Sequence, residues 1–226
     1  MEQGVVVYAD IEGVAIKAGI LWDHYRHNRE SVSFEYDRDW LNHPKRFVLD
    51  PALQLIEGTF HASLDKPLFG ALEDSAPDRW GRLLMRRAER KNAEREKRTP
   101  CALREIDFLL LVDDEARQGA LRFKRKGAPS FLTTYDHQHI PPLISLGKLL
   151  SAANHVLQES DTEDDIRLLL APGSSLGGAR PKASVRDKDG HLAIAKFPKK
   201  DDEIDIIGWE ATAFTLASKA RIQVPQ

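Results

Sequence analysis

The sequence predicts an α+β protein: an N-terminal mixed β-sheet/helix subdomain followed by a partial, protein-kinase-like lobe. Three observations predict it. Three segments in the first forty residues, Gly4–Ala9, Glu12–Trp22 and the cleanly alternating Ser31–Tyr36, read as strands. Helical segments follow between about residues 74 and 170, interrupted by a strand at Gly119–Phe123 and a loop-rich stretch. Then Gly173-Ser174-Ser175-Leu176-Gly177-Gly178-Ala179-Arg180-Pro181-Lys182 leads into two short alternating runs that flank Asp187-Lys188-Asp189-Gly190. The boundary is placed near residue 140, giving units of 1–140 and 141–226.

Composition bounds the reading. The chain has 226 residues, 42% hydrophobic and 30% charged, enough for an ordinary core in one large or two modest domains. A net charge of −2 argues against broad DNA binding by the chain's own electrostatics. One cysteine, Cys101, excludes an internal disulfide and a cysteine-based zinc cluster. No basic segment leads into an apolar one after Met1, and no apolar run approaches the ~20 residues that span a bilayer. A cytoplasmic, non-membrane protein is expected.

In chain order, Gly4–Ala9 and Glu12–Trp22 read as strands of an antiparallel sheet, and Ser31–Tyr36 places Val32, Phe34 and Tyr36 on one face. His24 and His27, three apart, would share a face if helical. With no third ligand in view they read as surface histidines. Asp50-Pro51 punctuates the chain. Asp74 or Ser75 is placed to cap a helix whose first turn Pro77 pre-organises, with Trp80, Leu83 and Leu84 facing the core. From Arg86 to Arg98, acids interleaved with bases describe a solvated helix face that Pro100 ends. A short apolar helix at Glu105–Val112 and a strand at Gly119–Phe123 follow. The loop-rich stretch from Gly127 to Pro142 holds Tyr135, His137 and His139. Leu143–Gln158 is an amphipathic helix, and Asp161–Asp165 an acidic turn into the next.

The glycine-rich string carries the chemistry. Glycines adopt positive φ and let backbone N–H groups converge on an anion, and the serines add hydroxyl donors. A flexible hinge between domains is the alternative. Ala183–Arg186 and His191–Phe197 then form a hairpin ending near Lys196. A glycine loop over a hairpin, with a strand lysine beside it, is how a kinase-like nucleotide site is built. Gly173 and Gly178 have Walker A spacing, but Ala179 stands where its lysine must be.

At these residues the chain resembles the HipA-type serine/threonine kinases of toxin–antitoxin systems. The resemblance rests on Ser175–Lys182, on Ala195-Lys196-Phe197-Pro198, and on Trp209-Glu210-Ala211 opening a helix. Upstream it takes in Phe34-Glu35-Tyr36-Asp37, Asp50-Pro51, the string from Glu73 to Leu84, and the Gly119–Phe123 strand. It implies a phosphate-covering loop at Gly177, Gly178, Ala179, Arg180, Pro181 and Lys182. It also implies a nucleotide-pairing lysine at Lys196, held by Glu210. It implies autophosphorylation at Ser175, with Ser174 adjacent, where added negative charge would expel the loop. ATP and magnesium are the implied cofactors. The implied partner is a helix-turn-helix antitoxin, through which operator DNA is contacted indirectly.

The family also uses a helical lobe with a catalytic-loop aspartate and a magnesium-binding acid, and residues 1–226 hold neither motif. Arg221 stands where the family ends a helix with glycine. The expectation is the N-terminal half of such a kinase, from a shortened or split gene. It would be inactive alone, and a separately encoded C-terminal kinase lobe is the partner expected to complete it. The competing expectation is a non-catalytic antitoxin-binding module or gene remnant.

Overall fold

Period-two alternation builds the first part of the chain into one antiparallel sheet. The computed structural model describes residues 3–27, 29–63, 65–131, 145–173, 176–199 and 201–224. Strands β1 (Gln3–Ile11), β2 (Val14–Arg26), β3 (Arg29–Tyr36), β4 (Thr59–His61) and β5 (Leu121–Arg125) lie in the order β4-β3-β2-β1-β5. Glu12 and Gly13 both take positive φ (54° and 82°), the mirror-image turn that suits a two-residue hairpin. A bulge between Val7 and Tyr8 shifts the β1–β2 register. The predicted second strand runs past Trp22 to Arg26, so His24 and His27 do not share a helical face. His24 Nε2 instead meets Ser33 Oγ on β3 at 2.8 Å, and His27 sits in the connecting turn with φ 50°.

Val5, Val7, Leu21, Val32, Phe34 and Phe123 bury the inner face of the sheet against Trp40, Leu53, Leu72, Ile106 and Leu109. Helix α1 (Arg38–Asn42) is capped by Asp37, whose carboxylate accepts from Asp39 N–H. The Tyr36 hydroxyl donates to Leu53 C=O at 2.9 Å and accepts from Leu49 N–H at 3.1 Å, fixing the loop below the sheet. Asp50 accepts from Ala52 and Ala71 N–H at 2.9 and 3.0 Å, tying its turn to α2 (Gly70–Glu73).

Helix α3 (Arg79–Glu96) begins later than expected. Its N-cap is Asp78; Asp74 closes α2, and the Ser75 hydroxyl donates to Ala71 C=O at 3.1 Å. Pro77 therefore precedes the cap and lies outside the first turn. The helix also stops four residues before Pro100, because Lys97 turns left-handed (φ 53°) and Arg98 N–H returns to Ala93 C=O at 2.9 Å. Its charged side is held by ion pairs such as Arg98–Glu89 at 2.6 Å.

Helix α4 (Glu105–Leu111) is capped from the sheet: Glu30 accepts from Glu105 and Ile106 N–H at 2.9 and 2.8 Å. Helices α5 (Leu146–Leu157) and α6 (Glu163–Gly173) are joined through a reciprocal cap. Thr162 N–H donates to Asp165, and Asp165 N–H to Thr162 Oγ1. A second buried cluster gathers Trp80, Leu84 and Met85 of α3, Phe108 and Val112, Leu149 and Val156 of α5, and Ile166 and Leu169 of α6. It also takes in Ala183 and Val185 of β6 (Lys182–Arg186). It thus draws on residues from both sides of position 140. Position 140 itself, with Tyr135, His137 and His139, lies outside the described residues. The remaining elements are β7 (Leu192–Lys196), paired with β6, and α7 (Ile206–Lys219). The architecture is α+β, with seven helices and a five-stranded antiparallel sheet among the described residues.

Candidate functional site

The β6–β7 hairpin positions the site's cations. Asp187 accepts from Asp189 and His191 N–H at 2.8 and 2.9 Å and, with Gly190 at φ 85°, closes the turn. The antiparallel register then puts Lys182 directly opposite Lys196 at the other end. Burial, and then the neighbouring Lys196, lower the pKa of the Lys182 ammonium. An anion between two such lysines would relieve that repulsion.

Each cation has a defined partner. Lys196 Nζ donates to Glu210 Oε1 on α7, the helix that Asp205 caps by accepting from Gly208 N–H at 2.8 Å. Lys182 Nζ donates to Gly177 C=O. Arg180 grips Asp202 with two bonds of 2.6 Å each, and that guanidinium holds the Asp202 carboxyl at about 2. Pro181 is buried and its carbonyl accepts from Phe197 N–H at 2.9 Å, so loop and hairpin are continuous. Ala179 is exposed.

The loop is also tied to α3. Gly178 has φ 91°, a conformation glycine adopts without strain; its N–H donates to Asp78 Oδ2 at 2.5 Å, and its carbonyl accepts from Trp80 N–H at 3.1 Å. Trp80 Nε1 donates to Lys182 C=O at 2.9 Å. Gly173 ends α6 against this indole: a Cβ there would meet Leu84 Cδ1 at 2.8 Å and Trp80 Nε1 at 3.2 Å. Gly173 therefore serves close packing, and the described part of the loop begins at Leu176, which is buried. Ser174 and Ser175, the expected modification sites, lie outside the described residues.

Sequence reading placed Gly177–Lys182, Lys196 and Glu210 together, and the fold juxtaposes them. It missed the ties from Asp78 and Trp80, about 100 residues upstream. Nothing local signals them, since both fit an ordinary helix start. Among the described residues no group with metal-ligand spacing lies at the glycine loop. Asp78, Asp202 and Glu210 each engage a donor or cation of the protein. Among the described residues the one trio with metal-ligand spacing, Asp187, Asp189 and His191, lies at the far end of the hairpin. No helix among the described residues is long and apolar enough to cross a membrane.

What the fold defines is an α+β domain whose antiparallel sheet and capped helix α3 support a glycine loop over a lysine-bearing hairpin. Residues 13–105, from the start of β2 into α4, match the family model described as HipA N-terminal domain. That region of the chain is a HipA-type N-terminal domain, and it contains Phe34–Asp37, Asp50-Pro51 and the Pro77–Gly81 helix start. No curated protein matches the chain.

Proposed function

We propose that the chain is a component of a HipA-type serine/threonine protein kinase, the toxin of a toxin–antitoxin pair, and that it binds ATP between the glycine loop and Lys196. The observation that carries this reading is the Lys196–Glu210 ion pair beside a loop whose Gly178 stands at positive φ. In kinases such a pair aims the lysine at the nucleotide phosphates. Here Lys196 and Lys182 would neutralise phosphate charge. Gly177 and Gly178 would allow the backbone to approach, and Arg180 and Pro181 would hold the loop against the hairpin.

ATP would supply the transferable phosphoryl group. The residues present do not fit magnesium, so no step is assigned through it. Asp78, Asp202 and Glu210 are already paired, and residues 1–226 contain no catalytic-loop aspartate. Phosphotransfer to serine would need a further lobe. Helix α7 offers it a surface: none of its side chains is buried, and Trp209, Phe214 and Leu216 are exposed. A C-terminal kinase lobe would cover that face. The proposed further partner is a helix-turn-helix antitoxin in the cytoplasm, with operator DNA contacted only through it, as suits a chain of net charge −2.

A second reading, a non-catalytic antitoxin-binding module, is favoured by the absence of a magnesium cradle among the described residues. A labelled-ATP assay on the purified chain tests the proposal. No transfer to the chain or to added protein is expected. Transfer that Lys196→Ala abolishes would show that these residues suffice for catalysis and would overturn the half-kinase reading.

A further inference from the structure

We propose that Asp78 is a carboxylate latch on the glycine loop: it occupies the Gly178 N–H that a phosphate would use, so that nucleotide and Asp78 compete for one donor. The inference rests on the nucleotide reading above and deepens it.

Asp78 is the N-cap of α3, yet its side chain accepts no hydrogen bond from its own helix. An N-cap carboxylate ordinarily accepts from the second or third helical N–H, here Trp80 or Gly81. Instead it reaches across to Gly178 N–H at 2.5 Å, and a Cβ on Gly177 would meet the same oxygen at 3.1 Å. The carboxylate thus lies against both glycines of the loop. It is an oxyanion bound where an oxyanion ligand is expected. Lys182 is engaged in the same way, its Nζ turned onto Gly177 C=O. The loop's donor and its nearest cation are both satisfied internally.

The arrangement has a ready alternative. If phosphate takes the Gly178 N–H, Asp78 can turn back to cap α3 at Gly81 N–H, since Trp80 N–H is held by Gly178 C=O. The helix N-terminus favours negative charge there. Trp80 would hold the loop in register throughout, because its indole bond goes to Lys182 C=O and does not involve the donor in dispute. Opening the latch turns the Asp78 side chain, releases Lys182 Nζ from Gly177 C=O and leaves the hairpin in place. The carboxylate also repels an incoming triphosphate at short range.

The experiment is a calorimetric titration of ATP, and separately of tripolyphosphate, into the wild-type chain, Asp78→Ala and Asp78→Asn. Thermal melts confirm folding, and deuterium exchange is followed over residues 176–182. Asp78→Ala is expected to tighten both ligands about tenfold, the factor carried by one charge-assisted hydrogen bond. Asp78→Asn, which keeps the shape and loses the charge, should tighten them less, and it stands in if the alanine variant does not fold. Loop exchange should quicken in both variants. Equal or weaker binding by the variants, with the wild type still binding, would overturn the latch and leave the nucleotide reading standing. It would mean that Asp78 holds the loop in its binding shape. Binding of tripolyphosphate but not ATP, tightened in the variants, would support the latch and overturn the nucleotide as its ligand. Binding of neither ligand by any of the three proteins would overturn both.

Discussion

Replacing Trp80 with phenylalanine isolates the contact that joins the HipA-type domain to the glycine loop. Trp80 is 1% exposed, and its Nε1 donates to Lys182 C=O at 2.9 Å. Phenylalanine keeps an aromatic ring in the second core but has no donor. The Lys182 carbonyl is then left without its indole partner, which costs about 1–3 kcal/mol. The smaller ring adds a packing loss of about 1 kcal/mol where Leu84 and Gly173 close on the indole. Together these predict roughly 2–4 kcal/mol, or about 4–16 °C in Tm for a chain of this size. Urea unfolding followed by circular dichroism would measure it, with an unchanged m-value showing that the loss is in the native state. The hydrogen bond is also the pin of the loop, so proteolysis between residues 176 and 182 should quicken. A change within about 0.5 kcal/mol, the range of an ordinary surface substitution, would refute the role given to Trp80.

Two further outcomes follow from the region around α7. Arg221 is left-handed at φ 60°, its N–H donating to Ser218 C=O and that of Ile222 to Ala217 C=O, the double-bonded helix end that favours glycine. Arg221→Gly should stabilise the chain by about 0.5–1 kcal/mol, the left-handed penalty less the added freedom of the unfolded chain; a lower urea midpoint would contradict this. For Asp202 the folded pKa is depressed to about 2 by Arg180. Its contribution is therefore present above the ordinary carboxylate range and is lost as pH falls through about 2. Asp202→Asn should flatten the loss of stability between about pH 4 and 2, and identical acid unfolding of variant and wild type would contradict the pairing.

Much of the sheet was legible because period-two alternation survives in the sequence: Val32, Phe34 and Tyr36 were assigned to one face and all three are buried. Helix ends were harder. Lys97, Glu159 and Arg221 terminate α3, α5 and α7 in the left-handed region without a glycine to mark them. A proline four residues downstream was therefore a misleading stop for α3. The start of α3 was misread because Asp74, Ser75 and Asp78 are all competent caps, and only the end of α2 decides among them. At the site, the Asp-Gly tip marked the hairpin but not its register. A two-residue Asp189-Gly190 turn would set Lys182 opposite Phe197, whereas the three-residue loop closed between Asp187 and His191 sets it opposite Lys196. Nor was the reach of Asp78 to Gly178 and of Trp80 to Lys182 legible. These contacts span 100 and 102 residues and depend on how α3 packs against α6 and β6.

Calorimetric titration of ATP into the wild-type chain and into Lys196→Ala tests most directly whether the glycine loop and the Lys196–Glu210 pair form a nucleotide half-site. A cleft with one wall leaves much of the nucleotide in water, so the account predicts a Kd no tighter than about the millimolar range. Lys196→Ala should weaken binding about tenfold, because it removes a charge aimed at phosphate. Micromolar affinity for ATP, or affinity that Lys196→Ala leaves unchanged, would contradict it.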